Sequence, residues 1–428
     1  MIWAYRILFP ILLVLALPYY LWRMVRRGGY GTDFAQRLGF FPELAPKAGG
    51  RRRFWVQAVS VGEIQAIGPL LKRLKAAGDV EIVLTTTTST GYRLARQLHG
   101  GSADIIGIFP VDLWPCSALA WNRIRPDVIV LAEGEIWPEH LAQARSRGVP
   151  AALVNGRLSD RSFARHLRLR RLSRTLLGGF SLICAGSEED ARRFREIGVE
   201  PVTTGNLKFD VAEPAHDDGS ARNSLRGSLG FAGCDCIVLG SSTWPGEETL
   251  LLRTVARLRA SGADVRLLLT PRHAERREEV ARTVAEAGMP WHQRSTGSPA
   301  PQGTVVHLAD TTGELRRLTA AADVAFCGKS LPPNEGGQTP VEAAAAGVAL
   351  VYGPRMTNFR EMCRELEASG AAFRAENEEE VAALLSRLVR DGQSRRSAGT
   401  IAAAWCARNR GATERTAEIL LKATAQAS

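Results

Sequence analysis

The stretch "FWVQAVSVGE", residues 54–63, decides the fold. Its first half has the apolar and aromatic composition of a buried strand, and a Ser-Val-Gly turn then leads into a predicted amphipathic helix over residues 64–77. A strand that turns directly into a helix begins a βαβ unit, which predicts a parallel sheet covered by helices. Ser60 and Glu63 also form the S-x-x-E pattern of a capping box, in which each side chain satisfies a backbone N–H group of the helix start.

Glu63 has a second interpretation, which is chemical. Ligands of open α/β sheets bind beyond the carboxyl ends of the strands. A carboxylate at that place can act as a general base. On this stretch alone both interpretations, cap and base, stay open.

The alternation of strand-like and helical runs continues to residue 209 and restarts at residue 223. Between them, "DVAEPAHDDGSAR" (210–222) is polar, acidic and carries Pro and Gly, which indicates a linker. We therefore predict two Rossmann-like α/β domains facing each other across a ligand-binding cleft. They span residues 28–209 and 223–400, and a C-terminal helix spans 401–428.

The N-terminus predicts a membrane anchor over residues 1–27. Residues 7–22 are an apolar run of about 24 Å as a helix, slightly short of the ~30 Å hydrocarbon core. Bulky aromatic residues follow Pro18 in place of a small-residue cleavage site, and Arg23, Arg26 and Arg27 form a basic flank that should stay cytoplasmic. We expect an uncleaved anchor that either spans briefly or lies in the inner leaflet, with the body in the cytosol.

Composition narrows the class of protein further. The 428 residues contain seven Cys in no C-x-x-C pattern, which indicates reduced thiols of a cytosolic compartment. The seven His are scattered without H-E-x-x-H or H-x-x-x-H spacing, so we predict no metal site.

The net charge of +11 is concentrated between residues 157 and 174, where seven Arg stand against one acid. Spacings of three and four residues predict one helical stripe. The ordinary interpretation is a solvated helix face, but a surface facing anionic lipid or a phosphorylated substrate fits the density of charge better. Few aromatic residues are interleaved and no nucleic-acid motif is present, which disfavours a nucleic-acid binder. The stripe consists of Arg157, Arg161, Arg165, Arg168 and Arg171.

In the second half, four strands end in polar or glycine-rich turns. Because such turns share one edge of a parallel sheet, they should converge. Arg272 adds a guanidinium suited to phosphate or carboxylate, and the Gly-Gly pair before residue 342 should leave N–H groups bare at a helix start. Together they indicate a nucleotide-sugar pocket, although turns and caps alone would explain each. The turns are "SSTWPGEE" (241–248), "TPRH" (270–273), "ADTTGE" (309–314) and "GKSLPPNEGGQTPVE" (328–342).

In the first half, "LAEGEIWPE" places Glu133 and Glu135 at a strand end, and "TGNLKFD" places Lys208 at another. Gathered carboxylates and a lysine can act as a base and as stabilisers of developing charge. A structural salt bridge, for example Lys208 with Glu133, is the alternative.

Eight motifs in order resemble the 3-deoxy-D-manno-octulosonic acid (Kdo) transferases of lipopolysaccharide synthesis. The resemblance covers nearly the whole chain, and "GRLSDRSF" and "GNLKFD" are specific to that family. The motifs are "AVSVGE", "AEGEIWPE", "VNGRLSDRSF", "TGNLKFD", "SSTWPGEE", "PRHAER", "TTGELRRL" and "GGQTPVEAAAAG".

The resemblance implies a GT-B glycosyltransferase that is metal-independent, needs no cofactor and inverts configuration. It would transfer Kdo from CMP-Kdo to the lipid A precursor lipid IVA at the cytoplasmic face of the inner membrane. Glu63 would be the general base, and Glu133 and Lys208 would stabilise the transition state. From charge alone, the arginine stripe would meet the acceptor and the membrane. The residues implied to hold CMP are Pro271, Arg272, Thr312, Gly313, Glu314, Thr339, Pro340, Val341 and Glu342.

Gln57, Trp244, Lys329 and Gln338 depart from the family pattern. These changes leave open a transferase for another CMP-activated acidic sugar, or a catalytically silent nucleotide-sugar or lipid-binding protein on the same scaffold. Retention of Glu63, Glu133 and Lys208 together argues against the silent protein, because a binding protein needs no base.

Overall fold

The computed structural model describes residues 2–27, 33–47, 50–211 and 219–425. The chain divides into two compact units, the first formed by Met1–Val211 with Arg410–Ser428 and the second by Ala212–Asn409. The centre of the expected linker, residues 212–218, lies outside the described residues.

A seven-stranded parallel sheet forms the centre of the first unit. Its order is β3-β2-β1-β4-β5-β6-β7, so the chain runs outward from β1 to β3 and returns to place β4 beside β1. Such a reversal is a topological switch point, beyond which ligands bind in open α/β sheets. The strands are β1 (Arg52–Gln57), β2 (Val80–Thr86), β3 (Ile105–Ile108), β4 (Val128–Ala132), β5 (Ala151–Gly156), β6 (Leu182–Ala185) and β7 (Val202–Thr203).

The second unit repeats this design. Its strand order is β10-β11-β9-β8-β12-β13-β14, again entirely parallel, with the switch point between β8 and β12. The prediction of two Rossmann-like α/β sheets is confirmed. The strands are β8 (Cys236–Thr243), β9 (Val265–Pro271), β10 (Trp291–Gln293), β11 (Val306–Leu308), β12 (Val324–Cys327), β13 (Ala349–Tyr352) and β14 (Ala372–Arg374).

Helices cover both sheets. Those of the first unit are α1 (Ile2–Arg27), α2 (Phe34–Arg37), α3 (Val61–Ala66), α4 (Gly68–Lys75), α5 (Ser89–His99), α6 (Trp114–Ile124), α7 (Pro138–Ser146), α8 (Asp160–Arg168), α9 (Arg170–Leu177), α10 (Glu188–Ile197) and α11 (Lys208–Val211). Those of the second unit are α12 (Gly219–Ser228), α13 (Glu247–Ala260), α14 (Arg277–Glu286), α15 (Leu315–Thr319), α16 (Val341–Ala345), α17 (Arg360–Ser369), α18 (Glu378–Arg390) and α19 (Gly392–Arg408). The last helix, α20 (Ala412–Ala425), belongs to the first unit.

The opening strand is buried on both faces, which is why it reads as a continuous apolar run. Phe54 and Val56 pack into one core cluster, and Trp55 packs into the other with Phe109 and Trp121. Helices on both sides of a parallel sheet require this pattern.

The helix predicted over residues 64–77 differs from the structure in its bounds. It begins at Val61 and is divided at Ile67 into α3 and α4. Pro69 lies in the first turn of α4, where its missing N–H group costs nothing, and it starts a new helix there.

The expected single arginine stripe is wrong as helix geometry. Arg157 precedes α8, and the helical run breaks at Leu169, whose φ of −113° and ψ of 39° are not helical. Two short helices, α8 and α9, therefore carry the other arginines in place of one continuous helix.

The C-terminal segment expected as one helix is two. The first helix ends at Arg408 and the second begins at Ala412, and Gly411 between them has a φ of 90°. The second of these helices, α20, packs on α4, and Arg73 donates to both carboxylate oxygens of Glu414 at 2.7 Å.

Among the described residues, the N-terminal helix α1 is long and apolar enough to cross a membrane, judged by its length and composition. Its window Ile2–Tyr19 has a mean hydropathy of 1.8. Two polar contacts hold its start on the body. Tyr5 donates its hydroxyl to Asp112 Oδ2 at 2.7 Å, and Arg6 donates from Nε and NH2 to the two oxygens of Glu139 at 2.8 and 2.9 Å.

Glu139 is fully buried, so its charge depends on Arg6 and on Gln143 Nε2, which donates to it at 2.7 Å. We predict that Arg6→Met lowers the free energy of unfolding by about 3–5 kcal/mol, because a buried carboxylate loses its counter-charge. The double variant Arg6→Met/Glu139→Gln should recover most of that loss. Urea denaturation in detergent measures both, and an Arg6→Met variant as stable as the parent would show that this pair does not hold α1.

Candidate functional site

Glu63 lies just beyond the carboxyl end of β1, at the switch point of the first sheet. It occupies the third position of α3, and its N–H group donates to the N-cap Ser60 Oγ at 3.2 Å. Its carboxylate accepts the N–H of Val59 at 2.8 Å. This is half of the predicted capping box, with Val59 taking the place of the N-cap N–H as the second donor.

The Glu63 carboxyl is 8% exposed. Burial raises its pKa above the ordinary value, the hydrogen bond from Val59 opposes this, the charge of Glu133 adds to it, and Lys208 lowers it. A carboxylate with raised proton affinity at a strand end has the property that a general base requires.

Glu133 follows β4, the strand next to β1, and adopts a left-handed backbone with φ 55°. Its Oε1 lies 2.6 Å from Lys208 Nζ. Burial acts to raise the pKa of Glu133, but the charges of Lys208 and Arg157 outweigh it, so the net shift is downward and Glu133 stays ionised. The salt bridge that the sequence analysis gave as the alternative is present, and the charges of both its members act on Glu63.

Asn155, which the sequence analysis did not single out, braces this pair. It ends β5 with φ 53°, donates from Nδ2 to Glu133 Oε1 at 3.3 Å and accepts the N–H of Leu207 at 3.1 Å. One buried amide thus positions the carboxylate and the segment that carries Lys208. Its only sequence signal was a polar residue at the end of an apolar strand, in "VNGR".

Arg157 and Glu135 also belong to this cluster. Arg157, expected on the membrane-facing stripe, instead acts electrostatically on Glu133. Burial, followed by the charge of Glu63, raises the pKa of Glu135 to about 7. The three carboxyl groups therefore shift one another's pKa values, and the charges of Lys208 and Arg157 act on that of Glu133.

The second unit has a cavity of about 100 Å³ at the carboxyl ends of its strands. Four residues predicted to hold CMP line it, namely Pro271, Arg272, Thr312 and Gly313. Ser242, Thr270 and Asp310 add polar atoms to the same wall. The convergence of three of the four turns predicted from sequence is therefore real.

Glu314 and the segment 339–342 do not line that cavity. Arg294 donates to both oxygens of Glu314 at 2.6 Å and lowers the pKa of that carboxyl to about 2. The hydroxyl of Thr339 accepts the N–H of Val341 at 3.3 Å. Pro340 precedes α16, a five-residue helix that includes Val341 and Glu342.

The N–H groups of the Gly-Gly pair, which we expected to be bare, are both hydrogen-bonded in the structure. Gly336 donates to the carbonyl of Arg355 and Gly337 to that of Lys329, each at 3.0 Å. Both glycines have positive φ, so the loop folds back on itself and satisfies its own donors.

Glu247 ties together the two loops at the switch point of the second sheet. Its buried carboxylate accepts four backbone N–H groups, those of Trp244, Lys329, Ser330 and Leu331, at 2.9 to 3.4 Å. Burial raises its pKa to about 7 against these four bonds. Sequence reasoning missed this role, because three of the four partners lie more than 80 residues away.

Two of the departures noted in the sequence come together here. The Lys329 ammonium lies 4.6 Å from the centre of the Trp244 ring, and His273 packs edge-on against the same ring at 5.1 Å. A lysine over an indole is a stabilising cation–π contact, so these changes form one local unit.

The remaining arginines predicted for the acceptor or membrane, Arg161, Arg165, Arg168 and Arg171, are exposed on α8 and α9. Three leucines are exposed among them, at 37%, 51% and 43% for Leu167, Leu169 and Leu172. This surface is therefore both basic and apolar.

Comparisons with known proteins agree with this geometry. The family model described as 3-deoxy-D-manno-octulosonic-acid transferase (kdotransferase) matches residues 32–211. The 3-deoxy-D-manno-octulosonic acid transferase of Bordetella pertussis is 34% identical over 94% of each chain, and that of Haemophilus influenzae is 30% identical over 92% of each.

Solved structures resemble the fold. Anabaena Alr3699/HepE in complex with UDP has a TM-score of 0.59 at 17% identity, covering 87% of this chain and all of that one. The UDP-GlcNAc 2-epimerase of Neisseria meningitidis has a TM-score of 0.60 at 11% identity, covering 86% and 100%. These likenesses bear on the GT-B-like architecture, whereas the sequence matches bear on the family. The chain belongs to the 3-deoxy-D-manno-octulosonic acid (Kdo) transferases, a glycosyltransferase family of lipopolysaccharide biosynthesis.

Proposed function

We propose that the chain is an inverting glycosyltransferase that moves Kdo from CMP-Kdo to the lipid A precursor lipid IVA at the cytoplasmic face of the inner membrane. The observation that carries this proposal is the buried Glu63 at the switch point of the first sheet, beside the Glu133–Lys208 ion pair at 2.6 Å. Membership of the family indicates that the transferred sugar is Kdo, and Glu63 can act as the base without a metal ion.

In the proposed step, Glu63 accepts the proton of the acceptor hydroxyl as its oxygen attacks the anomeric carbon of Kdo. The new carbon–oxygen bond forms while the bond from the anomeric carbon to the CMP phosphate oxygen breaks, and CMP leaves with the electron pair. A single displacement inverts the configuration. Lys208 and Glu133 stabilise the charges that develop, because fixed charges in a partly buried site need little reorganisation.

We assign CMP to the cavity of the second unit. Pro271, Arg272, Thr312 and Gly313 contact it, and the exposed Arg272 guanidinium meets the phosphate. Glu314, fixed by Arg294, and the segment from Thr339 to Glu342 shape the surrounding loops.

We assign the acceptor and membrane contact to the basic and apolar surface of α8 and α9. Its arginines suit the phosphates of a lipid A precursor and anionic headgroups, and its exposed leucines suit the acyl boundary. The apolar α1 adds the membrane anchor.

Substitution of the base tests the proposal directly. Glu63→Gln keeps an oxygen for the Val59 N–H but cannot take a proton, so we expect CMP release with CMP-Kdo and lipid IVA to fall ~10²- to 10⁴-fold with an unchanged melting temperature. Glu188→Gln, an exposed helix-start carboxylate, is the matched control. A folded Glu63→Gln variant of normal rate would reduce Glu63 to a cap, and a parent protein that releases no CMP would exclude the donor.

The pH dependence has a definite sign. The base must be ionised, so the rate falls as the pH drops through the pKa of Glu63, which burial has raised. Because Lys208 lowers that pKa and Glu133 raises it, Lys208→Met should move the acid limb of kcat/KM to higher pH and Glu133→Gln to lower pH. Lys208→Arg keeps the charge and should leave the limb in place.

Two results would contradict this assignment. A limb that moves in neither variant does not belong to Glu63. A limb that disappears in Glu135→Gln but survives in Glu63→Gln would assign the base to Glu135, whose pKa is raised to about 7.

The donor site has its own test. Arg272→Gln removes a charged donor from the cavity rim, and we expect CMP affinity to fall about tenfold or more, since a hydrogen bond to a charged group contributes ~1.5–3 kcal/mol. Calorimetric titration with CMP and with cytidine separates the phosphate contact from the base contact. A loss of equal size for cytidine would place Arg272 away from the phosphate.

A further inference from the structure

Helix α1 is attached to the first unit at its very start. Arg6 pairs through two hydrogen bonds with Glu139, which is fully buried, and Tyr5 donates to Asp112, which is 1% exposed. Asp112 also accepts the N–H groups of Glu139 and His140 at 3.1 and 3.0 Å. One anchoring carboxylate, Glu139, therefore belongs to the first turn of α7, and the other, Asp112, is hydrogen-bonded to that turn.

The far end of the helix returns to the same unit. The helix ends at Arg27, and by Asp33 the chain is on the body again, where Tyr92 donates its hydroxyl to Asp33 Oδ2 at 2.6 Å. The start of this 26-residue helix, about 39 Å long, therefore contacts the same folded unit as Asp33, which lies six residues past its end.

A helix that crosses a bilayer has its two ends on opposite sides of a hydrocarbon core of ~30 Å. A folded domain with buried ion pairs lies in water, on one side only. Because residues 5, 6 and 33 all contact the same domain, the two ends of α1 lie on the same side of any membrane that the protein binds.

The exposure of α1 follows the same geometry. The less exposed residues recur at helical spacing, at positions 2, 5, 6, 9, 10, 13 and 16, and mark the face that is turned to the body. The opposite face exposes large apolar side chains, with Leu8 at 58%, Ile11 at 54% and Leu15 at 73%. The cavity that α1 shares with the body is lined by α1 residues as far as Pro10, and the opposite face of the helix is apolar and open.

A lipid leaflet is the occupant that suits the open face. Trp3 and Tyr19, near the two ends of the apolar stretch, and Trp114 on the body are exposed aromatic residues of the kind that lie at membrane interfaces. Arg23, Arg26 and Arg27 follow in sequence, and the exposed arginines of α8 and α9 belong to the same unit. Positive charge beside an apolar face is complementary to an anionic leaflet.

We propose that α1 does not cross the bilayer but lies in the plane of one leaflet, docked on the first unit through Tyr5 and Arg6 and with its face of Leu8, Ile11 and Leu15 in the lipid. The inference rests on the membrane location in the proposed function. It makes the protein monotopic, with both ends of α1 on the cytoplasmic side.

Depth measurement tests this on the full chain. Spin labels at Ala4→Cys, Leu8→Cys, Ile11→Cys and Leu15→Cys lie on one face of α1, in a Cys116→Ser background whose other cysteines are buried. The protein is bound to vesicles of phosphatidylglycerol and phosphatidylethanolamine, and the accessibility of each label to oxygen and to a nickel complex gives its depth. Gln393→Cys, exposed on the second unit, is the aqueous control.

The four labels should lie at one depth within about 5 Å, in a single leaflet, whereas a spanning helix gives a gradient of about 16 Å between positions 4 and 15. That gradient would overturn the inference and leave the membrane location intact. Labels that stay accessible to the nickel complex would show that this face lies in water. Labels whose spectra broaden through contacts between copies would show that a second copy covers it. Either result would overturn both the inference and the proposed membrane location. CMP release with detergent-dispersed acceptor, measured in parallel, reports the proposed transfer independently of helix orientation.

Discussion

The ion pair between Glu133 and Lys208 is the interaction on which the site of the first unit depends. Three carboxyl groups crowd the carboxyl edge of this sheet, and like charges in a partly buried place cannot all ionise freely. Lys208, 2.6 Å from Glu133, keeps that carboxylate charged, and burial leaves Glu63 and Glu135 with raised proton affinity. The three glutamates are chemically identical, and their pKa values differ because only Glu133 forms the ion pair with Lys208.

The backbone makes this arrangement possible at the switch points of the two sheets. In the first unit, Glu133 and Asn155 both adopt left-handed conformations at strand ends, which turns their side chains toward each other. In the second unit, Ser242 near the end of β8 and Lys329 after β12 also have positive φ, and Glu247 accepts backbone N–H groups from the loops that follow both strands. Positive φ in residues other than glycine costs free energy, and here it is concentrated at the places where ligands are expected.

Local signals in the sequence predicted the parts of the molecule that local physics determines. The strand-to-helix turn, the S-x-x-E cap at Ser60 and the alternation of elements all follow from contacts within a few residues, and the structure has them. The brace by Asn155 and the clamp by Glu247 join segments more than 50 residues apart, and no periodicity indicates them. The arginine spacing misled because Leu169 interrupts the helix, and because Arg157 precedes α8 and acts on Glu133 at the carboxyl edge of the first sheet.

Burial raises the pKa of Glu63, and the charge of Lys208 lowers it. Carbon-13 NMR of glutamate-labelled protein, with the Glu63 resonance identified by its loss in Glu63→Gln, measures this without substrate. We expect a titration midpoint above that of an ordinary glutamate, moving further upward in Lys208→Met. A midpoint at the ordinary glutamate value that ignores the loss of Lys208 would contradict the account.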